Sequence, residues 1–153
     1  MTVKLALGEI MQKLVFAVVV LIGFAGGAVA QTVGEYAHKT LAHWTCATYL
    51  AFFQSADVSD TRHERHFLAG LEAARALYAE WKSKGEAAVW PGDAPSFVKL
   101  RMQGPTPDFV AGRLFEGTTE FTQTRLTQGG DSALWSLRAK TLYDQENCAL
   151  ILR

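Results

Sequence analysis

Cysteine is nearly absent from this chain, with only Cys46 and Cys148 among 153 residues. Their distance apart excludes a redox Cys-x-x-Cys motif. Proline is almost as scarce. All four, Pro91, Pro95, Pro105 and Pro107, fall in one stretch, so the remainder is free of the strongest helix breaker. Neither charge sign is in excess, with 15 basic against 15 acidic side chains, and a neutral chain offers no electrostatic footprint for nucleic acid. There is no G-x-S-x-G, no phosphate-cradling glycine loop and no dinucleotide fingerprint. Strand signals are scarce as well, and the apolar pattern follows the helical period.

What is present begins with an export signal. Lys4 and Lys13 precede an apolar run from Leu14 to Gly27, and Ala28-Val29-Ala30 follows with small residues at the −3 and −1 positions. That is the pattern of a secretory signal peptide, with cleavage expected after Ala30. Translation from Met11 would give a more compact leader. An uncleaved anchor is the rival reading, but 17 residues from Leu14 to Ala30 span about 25 Å as a helix, short of a bilayer core of about 30 Å. Residues 31–153 are then expected to form one helical domain with 13 basic and 14 acidic side chains, in the periplasm or secreted. No later segment is long and apolar enough to span a membrane.

Export changes how the cysteines are read. In an oxidising compartment an even pair reads as a disulfide, Cys46 to Cys148. A closed loop of about 100 residues contributes up to about 4 to 5 kcal/mol in the chain-entropy model. A reactive thiol is the competing reading, since His43 lies three residues before Cys46 on one helix face.

The expected fold is all-α, a small four- to five-helix bundle stapled by one disulfide. The first helix is expected over Thr32 to Ala56, with Leu41, Trp44, Tyr49, Leu50, Phe52 and Phe53 covering more than one stripe, as suits a central helix. A turn through Asp57 to Asp60 and a capping box at Thr61 and Glu64 introduce the second. Its face carries Phe67, Gly70, Leu71, Ala74, Tyr78 and Trp81, and it ends at Gly85. The proline-rich connection should hold a short helix near Ser96 to Met102, pinned by Trp90, Phe97, Val98 and Leu100. Thr106, Pro107 and Asp108 mark the next start, with a seam of Val110, Leu114, Gly117 and Phe121 in which Gly117 implies close backbone approach. Asp131 caps a last helix with the stripe Leu134, Leu137, Thr141, Cys148 and Leu152.

Candidate chemistry is limited. The histidines His38, His43, His63 and His66 form a set that can respond to pH. His63 and His66, three apart, could present two nitrogens to a metal. His63-Glu64-Arg65-His66 has one residue too few for the zinc-peptidase pattern. Glu116 and Glu120 could form a carboxylate pair at i,i+4, screened by Arg113. No catalytic, cofactor or metal residues are assigned. Trp44, Tyr49, Phe52, Phe53 and Trp90 are the candidates for an interaction surface.

Two stretches, Gly104-Pro105-Thr106-Pro107-Asp108-Phe109-Val110-Ala111-Gly112-Arg113-Leu114 and Asn147-Cys148-Ala149-Leu150-Ile151, resemble a group of small exported two-cysteine helical proteins of proteobacteria without established function. That resemblance implies fold and compartment. Trp44-Thr45-Cys46-Ala47-Thr48-Tyr49-Leu50-Ala51 resembles the segment around the first cysteine of the small periplasmic acid-stress chaperones. The leading expectation is a non-enzymatic periplasmic protein that binds another envelope or secreted protein. An acid- or stress-activated chaperone is the alternative, and a hydrolase or metalloenzyme built on His43, His63, His66 and Glu64 is the third reading.

Overall fold

The computed structural model describes residues 32–53, 61–85, 88, 90–128 and 130–153. The expected leader, the expected extension of the first helix to Ala56 and the expected turn at Asp57 to Asp60 lie outside these residues. Five α-helices are described: α1 Val33–Phe53, α2 Arg62–Lys84, the short α3 Ser96–Arg101, α4 Pro107–Thr127 and α5 Trp135–Gln145, the last led in by a single 3-10 turn at Ser132–Leu134. No strand occurs among the described residues. Cys46 and Cys148 are bonded, with Cα atoms 5.6 Å apart. The architecture is the expected all-α bundle with one staple.

Local chemistry explains most of the boundaries. α1 starts with a capping box: Thr32 Oγ1 accepts from the Glu35 amide at 3.3 Å, and Glu35 Oε2 accepts from the Thr32 amide at 2.7 Å. The box expected at Thr61 and Glu64 does not form. Thr61 sits at φ −84°, ψ 5° and makes no side-chain cap bond, because a capping side chain needs an extended backbone to aim back at the first turn. Thr106 has that backbone, at φ −136° and ψ 156°, and its hydroxyl accepts from Phe109. Gly85, at φ 54°, ends α2 with its N–H on the Trp81 carbonyl. Asp131 accepts from the Ala133 amide to open the last helical segment.

α5 ends sooner than its apolar pattern suggests. Asn147 adopts φ 54°, the Cys148 N–H donates to the Tyr143 carbonyl and the Asn147 N–H donates to the Asp144 carbonyl. These two bonds are a Schellman stop. The stop turns Cys148 back onto α1. The stripe expected to face the core is corrected at the same time: Leu134 and Leu137 are 56% and 64% exposed. The buried side of α5 carries Ala139 and Tyr143 instead. Small Ala139 permits close packing, and Trp135 and Tyr143 meet Phe52 and Phe53 edge to face.

α1 packs against α2, α4 and α5, and His43 through Leu50 are all buried. Two apolar clusters surround it. The first gathers Val33, Ala37, Trp44, Ala74, Leu77, Val98, Met102, Val110, Ala111 and Leu114. The second gathers Leu50, Tyr49, Leu126, Ala139 and Tyr143 around the disulfide. Along α4 the change from one to the other passes through Thr118 and Thr122, both buried. Val110, Leu114, Thr118, Thr122 and Leu126 form a continuous i,i+4 row, which displaces the expected seam residue Phe121 to 44% exposure. Thr118 is tolerated because its hydroxyl donates to the Leu114 carbonyl.

Two glycines hold specific contacts. A Cβ at Gly117 would lie 2.7 Å from Phe97 and 2.8 Å from Arg101, so side chains of α3, rather than another backbone, cross α4 there. Leu100, expected to pin α3, is exposed, and Met102 is buried in its place. Gly70 is the tighter case, since a Cβ would meet the Trp44 indole at 2.4 Å. Trp44 cannot withdraw, being fully enclosed with its N–H on the Phe67 carbonyl at 3.1 Å. Gly70→Ala is expected to destabilise the fold by about 2 to 3 kcal/mol through overpacking, outweighing the helix-propensity gain of about 1 kcal/mol. Urea denaturation at neutral pH checks this, and a midpoint at or above that of the wild type would contradict it.

Candidate functional site

The eight-residue buried run of α1 includes polar side chains that must be satisfied inside the protein. Thr48 donates to the Trp44 carbonyl, and Thr122 donates to Thr45 at 3.4 Å. The Tyr49 hydroxyl donates to Glu146 at 2.9 Å, and Arg125 meets the same carboxylate oxygen at 3.0 Å. Burial and the Glu146 carboxylate both push the Tyr49 phenol well above its ordinary value. These contacts tie α1 and α4 to the residue that follows α5, close to the disulfide.

His43 has no threonine-like route to its own backbone and is matched from another helix. Its Nδ1 lies 3.2 Å from Nδ1 of His66 on α2, with both residues buried. A hydrogen bond between two Nδ1 atoms requires a proton on one and a lone pair on the other. His66 Nε2 is buried and makes no hydrogen bond among the described residues. The assignment that leaves no buried N–H unpaired has His66 donating through Nδ1 and carrying a bare lone pair at Nε2. The Tyr143 ring stands edge-on to His66, with centroids 6.1 Å apart.

The surroundings favour neutral imidazoles. Burial lowers the pKa of His66 to about 4, aided by His43, Arg65, His63 and Arg62. Burial also lowers that of His43, and Lys39 adds to the effect. All of these neighbours are bases. Such a field repels a cation as well as a proton, and two nitrogens are too few for a metal centre. No group of three or more His, Cys, Asp or Glu side chains suited to a metal occurs among the described residues.

The other candidates are placed differently from one another. His63 and His66 do not converge, since His66 is fully buried against α1 and His63 only half-buried. His38 is exposed and meets Asp93 at 3.5 Å. Cys46 is consumed by the disulfide, so it is no nucleophile and His43 does not serve it as a base. Glu116 and Glu120 are bridged by the two terminal nitrogens of Arg101 at 2.7 and 2.8 Å. Arg113, the expected screening residue, donates to the Gln103 carbonyl instead. Trp44 and Tyr49 are removed from the candidate interaction surface by burial. Phe52 and Phe53 are half-buried beside the second cluster. Trp90 borders a 360 Å³ apolar cavity with Pro91, Pro95, Val98 and Leu100.

Comparison with protein-family models, with curated proteins and with solved structures gives no match.

Both imidazoles have folded-state pKa values below their ordinary 6.5, so the unfolded chain takes up protons first as pH falls. Both contributions to stability are complete above about pH 6.5 and fall on the acid side of it, that of His66 being lost between there and about pH 4. For His66 the loss is about 3 kcal/mol, at 1.36 kcal/mol for each unit. Urea denaturation from pH 7.5 to pH 4.5 should show this decline, and His66→Gln should remove about 2 kcal/mol of it. An equal decline in wild type and variant would contradict a neutral His66.

Proposed function

We propose that this chain is an exported, non-enzymatic helical protein that binds another envelope or secreted protein through the outward face of α5. The observation that carries this reading is the placement of Leu134 and Leu137. They lie one turn apart on the exposed side of the last helical segment, at more than half of full exposure each. With Leu126, Trp135, Arg138 and Thr141 they line a groove of 410 Å³. Scattered exposed leucines need no explanation, but a contiguous apolar groove with a polar rim is the form of a docking site.

The rim is fixed as well as polar. One terminal nitrogen of Arg138 donates to the carbonyls of Leu126 and Gln128, and Asp131 is held by its cap bond. A groove of this size on a rigid helix suits the apolar row of a partner helix. The export part of the proposal is supported by the leader pattern and by the disulfide. No described helix is long and apolar enough to cross a membrane.

A photo-crosslinking side chain at Leu137, activated in intact cells, should capture a discrete protein adduct. Leu134→Asp should abolish the adduct while changing stability by no more than about 0.5 kcal/mol, as for other exposed positions. Recovery of the chain without any adduct, at undiminished expression, would contradict the proposal.

A further inference from the structure

The buried histidine pair has a consequence that is independent of the docking face. We propose that the first turns of α2, residues 62–67, form an acid-released flap that covers the second apolar cluster at neutral pH and lifts from it when the His43–His66 contact takes up protons. Only His66 on this segment is fully buried, while Arg62, His63, Glu64, Arg65 and Phe67 are exposed or partly so. His66 is the one fully buried anchor of the flap; Arg65, which donates to the Leu152 carbonyl at 2.9 Å, and Arg62, which lies over the Tyr143 ring, hold it from its exposed side. His66 rests against His43 of α1 on one side and Tyr143 of α5 on the other.

The pair has no way to accommodate added charge. A proton on His66 Nε2 would occupy a buried site with no acceptor among the described residues. A proton on the Nδ1 atom that now accepts would convert the 3.2 Å contact into two opposed donors. The groups facing the pair come from every element around it: Lys39 from α1, Arg62, His63 and Arg65 from α2, and Tyr143 from α5. Arg153 follows α5 and borders the same 370 Å³ surface pocket as Lys39, His43 and Arg65. None of these is a carboxylate side chain that could compensate the new charge. Moving the flap into water relieves both costs at once.

The remaining restraints determine what moves. Cys46–Cys148 holds α1 to the segment after α5. Tyr49, Arg125 and Glu146 bind the same elements through groups remote from the pair in sequence and on other faces of α1. Farther along α2, the Trp44 indole is seated over Gly70 and bonded to the Phe67 carbonyl. Release therefore stops near Phe67. It uncovers the side of Tyr143 that His66 and Arg62 cover, while the Phe67 ring stays edge-on to Phe115 of the first cluster.

Hydrogen exchange on the disulfide-intact protein at pH 7.0 and pH 5.0, read peptide by peptide and corrected for intrinsic exchange rates, tests the proposal. Protection of peptides covering residues 62–67 should fall by roughly 20-fold or more, while peptides from Val98 to Leu114 keep theirs. His66→Gln, which keeps a hydrogen-bonding side chain but does not titrate, should abolish the difference. If that variant fails to fold, His66→Asn, which also keeps a hydrogen-bonding side chain and does not titrate, supplies the same comparison. Uniform loss over the whole chain, no loss at residues 62–67, or a loss that persists in the folded variant would each overturn the proposal.

Discussion

The structure depends on one constraint: α1 has no solvent face between His43 and Leu50. A helix buried on all sides cannot send polar side chains to water, so each must find a partner within the protein. Thr48 uses its own backbone, Tyr49 uses Glu146, and Thr45 uses Thr122. His43 uses His66. The positions of α2, α4 and α5 thus answer to polar matching as well as to apolar burial. That burial follows from size, because a domain of this length has one core and little area to spare.

The disulfide lies inside the same run. Closing 102 residues of chain removes conformational freedom from the unfolded state, worth about 4.7 kcal/mol for a loop of about 100 residues in the entropic description. It also brings the Schellman stop at Asn147 into register with α1, which places Glu146 where it can serve both Tyr49 and Arg125. The second cluster is therefore held covalently as well as by packing. Over that cluster, the one fully buried side chain at the start of α2 is an uncharged imidazole. A pH-labile element beside a pH-indifferent staple allows part of the surface to change without loss of the fold.

Much of the helical plan was legible in the sequence, because caps and breakers act locally. Thr106-Pro107, Asp131 and Gly85 carry their own instructions, and Gly70 and Ala74 lie buried on the expected face of α2, although the fully buried row continues through His66, Ala73 and Leu77 and leaves Phe67, Leu71, Tyr78 and Trp81 half-buried beside it. The disulfide was legible from an even cysteine count behind a leader-like pattern. Sequence pattern and structure diverge where two apolar faces compete or where polar residues fill a seam. α5 offers both a leucine side and an Ala139–Tyr143 side, and only the partners Phe52, Phe53 and Cys46 decide between them. The threonines of α4 hid its true row. His43 and His66 are 23 residues apart, and their meeting depends on how α1 and α2 pack; the one sequence signal was that His66 begins the buried row of α2. Thr32 and Glu35 have the same sequence spacing as Thr61 and Glu64, and only the first pair closes a capping box.

The central claim is that His43 and His66 form a neutral, directly bonded pair in the protein interior. Nitrogen-15 NMR of the imidazole rings, recorded through a pH titration of the disulfide-intact protein, measures both protonation and tautomer. A neutral buried pair predicts that both rings titrate below 6.5, with His66 near 4, and that His66 carries its neutral-state proton on Nδ1. Titration of both rings at or above 6.5 would contradict it.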